Sequence, residues 1–149
     1  GTVLQSALYR SEADLAALLP LRPNLRLVKG AYLEPAAIAY PKKADVDRAY
    51  LRLAERMLGE GGFTGIATHD KRIVDHAVGF AARHGLGPEN FEFQMLYGIR
   101  PEFQVALAKA GHRVLVATPF GPEWYFYLMR RLAERPANLL WFATNVVKR

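Results

Sequence analysis

DVDRAYLRLAERMLGEGGFTGIATHDKRIVDHAVGFAARHG, residues 45–85, reads as helix, strand and helix in immediate succession. Over residues 45–58 the apolar side chains Val46, Ala49, Tyr50, Leu53, Ala54 and Met57 recur near a 3.6-residue period, which predicts an amphipathic helix. Gly61-Gly62 closes it. The short apolar run 63–67 reads as a strand. Asp70 offers a side-chain oxygen to cap the next helix, which runs to about His84 and stops at Gly85.

The alternation continues on both sides. Upstream, residues 2–8 and 25–32 read as strands around a helix at 11–19, with Ser11 as its N-cap and acidic Asp14 three residues on. Downstream, 90–94 and 113–117 read as strands around a helix opened by Pro101 and ended near Ala110-Gly111. Pro122 opens a further helix to about Arg135, stopped by Pro136, and the apolar 138–147 reads as a last helix. Strict strand–helix alternation implies a parallel sheet with crossover helices. Two architectures fit, a doubly wound sheet and a (β/α) barrel. Five strands complete a flavodoxin-like sheet but fill only part of an eight-stranded barrel.

Composition narrows the function. The chain has 149 residues, 51% hydrophobic and 23% charged, and a net charge of +6, a globular profile. It has no cysteine, which excludes a disulfide scaffold, a thiolate metal site and a cysteine nucleophile. No apolar run approaches the ~20 residues that span a bilayer. Residues 101–149 hold 7 basic and 3 acidic side chains, yet the bases are spread along helices, not gathered in a stripe, so nucleic acid is not an expected partner. There is neither a Walker pattern nor GxGxxG.

In either architecture ligands bind beyond the C-terminal strand ends. There the sequence delivers Arg26, Lys29, Gly30 and Tyr32; Thr68, His69 and Asp70; Gln94, Leu96 and Tyr97; with Gln5 inside the first apolar run. Arg26 and Lys29 on an apolar strand call for either an ion pair or a bound anion. Gln94 needs hydrogen-bond partners, from backbone or from a ligand edge. Thr68-His69-Asp70 reads equally as a helix cap. Tyr127, Arg130, Arg131 and Glu134 share one helix face by spacing. That face is either solvated, with Glu134 pairing Arg130, or a carboxylate site, because guanidinium groups grip carboxylates in bidentate fashion.

These motifs, RLVKGAY (26–32), ATH (67–69), EFQMLYG (92–98) and YLMRRLAE (127–134), resemble the proline dehydrogenase family in order and spacing. The resemblance covers nearly the whole chain. It implies a distorted (β/α)8 TIM-like barrel that binds FAD, with residues 1–149 as its C-terminal portion, strands four to eight. The immediate strand-like start at Gly1, without a start Met, fits a piece of a longer barrel. The resemblance further implies oxidation of L-proline to Δ1-pyrroline-5-carboxylate, with hydride passing to the flavin and electrons then to a membrane quinone.

Residue by residue, it places Arg26 at the flavin's reactive nitrogen, and Val28, Lys29 and Gly30 along the flavin and its phosphates. It places Gln5 at the flavin edge, and Lys42 or Lys43 near ribose and phosphates. Thr68 and His69 match adenosine and pyrophosphate contacts. Gln94 and Leu96 match positions around isoalloxazine and adenine. Tyr127 would pack on the proline ring, Arg130 and Arg131 would hold its carboxylate, and Glu134 would lie near both the arginines and the flavin. The chain departs from the family at Ala7 and Ala117, where tyrosines are common. The early strands that carry the family's catalytic Lys and Asp have no counterpart here, so the chain alone is expected to be inactive. Its open sheet edges imply self-association or pairing with those strands. A cytoplasmic protein with peripheral contact at the inner membrane face is implied. The rival reading is a stand-alone five-stranded α/β fragment that binds at most a phosphate-bearing ligand.

Overall fold

A computed structural model describes residues 1–30, 34–118, 120–125 and 129. The chain divides into two compact units, Gly1–Ala117 and Thr118–Arg149. In the first, five strands alternate with helices: β1 (Thr2–Gln5), α1 (Ser11–Leu18), β2 (Leu25–Val28), α2 (Lys43–Glu60), β3 (Thr64–Ala67), α3 (Lys71–Arg83), β4 (Phe91–Leu96), α4 (Pro101–Lys109) and β5 (Val114–Ala117). In the second unit, the rings of Trp124 and Tyr125 meet edge-on at 6.0 Å.

The strand order separates the two candidate architectures. All neighbours are parallel and the order is β1-β2-β3-β4-β5, without a reversal. Right-handed crossovers that always step in one direction put every helix on the same face. A doubly wound sheet must reverse its order to cover both faces. This sheet is therefore an arc of a barrel, with its helices outside and, among the described residues, no helix on its inner face.

The register makes the layering explicit. Leu4, Leu27, Ile66, Phe93 and Val114 pair in one row across all five strands. The first four are buried and join Leu15 of α1, Tyr50, Leu53 and Met57 of α2, and Val74 and Ala77 of α3 in one core. Each such side chain contributes roughly 1.5–3 kcal/mol by leaving water. On α2 the buried positions are Ala49, Tyr50, Leu53, Ala54, Met57 and Leu58, the helical stripe expected from the sequence. The Tyr50 hydroxyl donates to the Leu27 carbonyl at 2.9 Å, and its burial pushes its pKa upward, so it stays protonated.

Several boundaries differ from expectation. The second strand ends at Val28, not 32, because Gly30 adopts a φ of +114° that no strand continues through. The fourth extends to Leu96, since β5 lies alongside and pairs Met95 with Val116 and Leu96 with Ala117. Ser11 is not an N-cap. The chain turns tightly after β1, with Leu8 N–H donating to the Gln5 carbonyl and Ser11 N–H to the Leu8 carbonyl. Arg10 is consequently already helical and occupies the cap position without a capping side chain. The Ser11 hydroxyl instead donates to the Gln5 carbonyl at 2.6 Å, tying the helix entry to the end of β1. The predicted helices at 122–135 and 138–147 fall largely or wholly outside the described residues.

Two neighbouring serines should behave oppositely. Ser6 Oγ is buried with no hydrogen-bond partner among the described residues, whereas Ser11 Oγ has one. Ser11→Ala is expected to cost about 1 kcal/mol, and Ser6→Ala to leave stability unchanged or slightly raised, because it removes an unsatisfied oxygen. Urea unfolding of the two variants checks this.

Candidate active site

Alternation along a strand assigns the remaining side chains to the inner face. One row across it is Val3, Arg26, Gly65 and Glu92, and the next contains Gln5 beside Val28, and Ala67 beside Gln94 and Leu115. Four of the residues expected at the site, Gln5, Arg26, Val28 and Gln94, lie in these rows, on one surface of three strands. Arg26 is exposed and makes no hydrogen bond or ion pair among the described residues. Gln94 folds back over Gly65 towards Glu92, and its Nε2 donates to Glu92 Oε1 at 2.9 Å. Its Oε1 is shielded from water and has no donor among the described residues. Glu92 is buried, and its other oxygen lies 3.7 Å from the Arg113 guanidinium.

Gly30 closes this row of contacts. A Cβ there would stand 3.1 Å from both Gln5 Oε1 and the Ala7 methyl, and its φ of +114° suits glycine alone. The expected tyrosine position at Ala7 therefore sits directly against the turn that follows β2.

At the rim, Lys29 resolves the choice left open by the sequence in favour of ion pairs. Its Nζ lies 2.6 Å from Asp47 of α2 and 3.0 Å from Asp70 at the start of α3, and its side chain is only 16% exposed. Lys43 also pairs with Asp47, and Arg72 with Asp70. Asp70 caps α3 as expected, accepting from the Arg72 N–H at 3.2 Å. Partial burial alone would raise the pKa of Asp70; hydrogen bonds from Arg72 and Lys29 outweigh it and hold the carboxyl far below the usual range. Asp47 is lowered in the same way, by Lys29 and Lys43 against its own burial.

Thr68 and His69 form the turn between β3 and α3. The buried Thr68 Oγ1 accepts from the Asp70 N–H at 3.1 Å. His69 Nε2 accepts from the Leu96 N–H at 2.9 Å, so that nitrogen carries no proton and the neutral ring holds its proton on Nδ1. The Leu96 carbonyl accepts from Gln104 Nε2 at 2.9 Å, and the His69 carbonyl from Arg100 at 2.7 Å. Leu96 is thereby fixed through both of its backbone groups. Lys42 stands exposed at the N-cap position of α2. Tyr127, Arg130, Arg131 and Glu134 lie outside the described residues.

The sequence did not single out Asp47, Glu92, Arg100 or Gln104. Glu92 and Gln94 share a strand face two residues apart, a signal that alternation makes readable. Arg100 and Gln104 contribute only through bonds to distant backbone, which spacing does not reveal.

The sequence pattern of the proline dehydrogenase family matches residues 6–141. A proline dehydrogenase of Deinococcus radiodurans is 55% identical over 148 residues, 99% of this chain and 48% of its own length. Proline dehydrogenase 2 of Bacillus subtilis strain 168 is 47% identical over 149 residues, all of this chain and 49% of that protein. The chain thus spans about half the length of these curated relatives. Among solved structures, proline utilization A from Bdellovibrio bacteriovorus, inactivated by N-propargylglycine, superposes with a TM-score of 0.80 at 27% identity, over 87% of this chain and 16% of that one. Proline utilization A from Corynebacterium freiburgense gives 0.75 at 26% identity, over 92% and 17%.

Asp70 offers a direct test of the rim. A carboxyl with a depressed pKa adds stability that is present above its ordinary value of 3.8 and is lost as pH falls towards its lower folded value. Asp70→Asn is expected to cost about 1–2 kcal/mol at pH 7, with the gap to wild type narrowing as pH drops below about 4. Urea titrations at several pH values read it out.

Proposed function

The chain belongs to the proline dehydrogenase family, and from that premise we propose that it supplies the second half, strands four to eight, of a TIM-like catalytic barrel. The reaction proposed is flavin-dependent oxidation of L-proline to Δ1-pyrroline-5-carboxylate. The observation that carries this reading is the inner face of the sheet, where Arg26 and Gln94 Oε1, neither with a partner among the described residues, lie on neighbouring rows. An apolar barrel lining has no use for either group. Both suit a cofactor that carries a ring N–H and takes on negative charge.

Bound FAD would supply the two-electron acceptor for the hydride that leaves proline C5, while the proton on nitrogen is released. The work of this chain is binding, orientation and electrostatics. Arg26 keeps a full positive charge on the lining, to favour negative charge developing beside it. Gln5, Val28, Gly30, Gln94 and Leu96 line the ring and its approach, and Thr68, His69 and Lys42 serve the phosphate and adenosine parts. Lys29 contributes through its backbone, because its ammonium is already held by Asp47 and Asp70. Tyr127 covers the proline ring, Arg130 and Arg131 clasp its carboxylate in bidentate fashion, and Glu134 lies close to these arginines and the flavin.

A membrane quinone is the proposed electron acceptor, reached by a cytoplasmic protein through peripheral contact at the inner membrane face. Among the described residues no helix is long and apolar enough to cross a membrane. Among the described residues, the edge strands β1 and β5 each have a neighbour on one side only. Pairing with the remaining barrel strands, or with a second copy, completes the site.

The test has two parts. The purified chain, given FAD, proline and a dye acceptor, is expected to show no turnover; turnover overturns the claim that it is inactive alone. In the full-length protein, Arg130→Met and Arg131→Met are each expected to raise KM for proline roughly 10- to 100-fold, the loss of one charge-assisted pair. An unchanged KM removes both from the substrate site, and a full-length protein without flavin absorbance defeats the reading altogether.

A further inference from the structure

The Gln94 carboxamide is turned one way by its neighbours. Glu92 and Gln94 stand two residues apart on the same face of β4, so their side chains meet. The carboxylate of Glu92 can only accept, which forces the amide nitrogen of Gln94 towards it and the amide oxygen away. The space that the carboxamide fills lies over Gly65, the strand-β3 partner of Glu92. A Cβ on Gly65 would come within 2.6 Å of Gln94 Nε2 and 3.0 Å of its Cδ, so the missing side chain is what admits Gln94. Among the described residues, the other partner of Glu92 is the mostly exposed Arg113 guanidinium, 3.7 Å from its second oxygen.

We propose that Glu92 is a positioning residue that fixes the polarity of the site: acting through Gln94, over the notch left by Gly65, it makes the lining demand a hydrogen-bond donor from the cofactor ring. With Glu92 absent, the carboxamide can rotate and offer either its oxygen or its NH2, and the demand for a donor is lost. The inference rests on the flavin reading above and adds to it a named determinant of which ring edge is recognised. The oxidised isoalloxazine has one ring N–H, at its N3 position, and that is the donor assigned to Gln94.

The test compares dissociation constants for FAD and for FAD methylated at N3, measured on the full-length protein by flavin fluorescence quenching. In the wild type, methylation is expected to weaken binding about tenfold, one hydrogen bond's worth. Glu92→Leu is expected to bring the two flavins within about twofold, and Glu92→Gln, which retains an acceptor oxygen, to restore most of the preference. Gly65→Ala is a second route to the same loss, because the three atoms nearest its added carbon all belong to the Gln94 carboxamide. It removes no polar group, so it serves if Glu92→Leu fails to fold. A purely structural Glu92 would weaken both flavins equally and leave their ratio intact, which overturns the proposal. So does a wild type that binds both flavins alike. If FAD itself fails to bind, the flavin reading falls too, whereas FAD binding without discrimination defeats this inference alone.

Discussion

Side chains on a strand alternate between two faces, and the sequential order of this sheet gives those faces different surroundings. Because every crossover steps the same way, α1 to α4 all pack on one side. The row Leu4, Leu27, Ile66 and Phe93 faces them and is buried. The adjacent row, Val3, Arg26, Gly65 and Glu92, must then face the opposite way. A register slip of one residue would put Arg26 and Glu92 among the helices and Leu27 on the lining. The hydrophobic core thus holds the polar face in position.

The rim is secured by a different interaction. Lys29 leaves β2 and joins Asp47 near the start of α2 to Asp70 at the cap of α3. One ammonium shared between two carboxylates fixes the entry of two helices relative to one strand. Its low exposure makes the pairing stronger than an ordinary surface pair. The Thr68-His69 turn is held between this cluster and the backbone of Leu96. The loops that carry recognition are therefore pinned at both ends, as a site requiring fixed geometry needs.

How far the sequence disclosed this depends on the range of each interaction. The helices at α2 and α3 and the Asp70 cap were legible, because period and capping are local. Ser11 misled for a local reason as well: its hydroxyl was read as a cap, but the tight turn after β1 had already made Arg10 helical. Barrel and doubly wound sheet stayed undivided at first, since the same alternation serves both and only strand order separates them. Of the site, residue types at strand ends were visible, but partners were not. Lys29 reads equally as an anion ligand or an ion pair until Asp47 and Asp70, 18 and 41 residues away, come into contact. Glu92 stood in plain view in EFQMLYG, yet its role follows only from the empty position at Gly65 on the next strand.

Two buried oxygens lack a partner among the described residues, Ser6 Oγ and Gln94 Oε1, and their surroundings give them opposite meanings. Ser6 is wholly enclosed as a residue just past β1, at 0% exposure, and its cost falls on stability. Gln94 is only half-buried as a residue, stands on the inner face, and is held in one orientation by Glu92. An unsatisfied acceptor that is also oriented is a poor choice for folding, since any apolar side chain of that size would pack over Gly65 without penalty. It makes sense where a bound molecule brings the donor. The same argument applies to Arg26, which lies on the neighbouring row with no ion pair among the described residues, Glu92 standing two strands away across Gly65. Polar groups without partners among the described residues set this face apart from the packed side of the sheet.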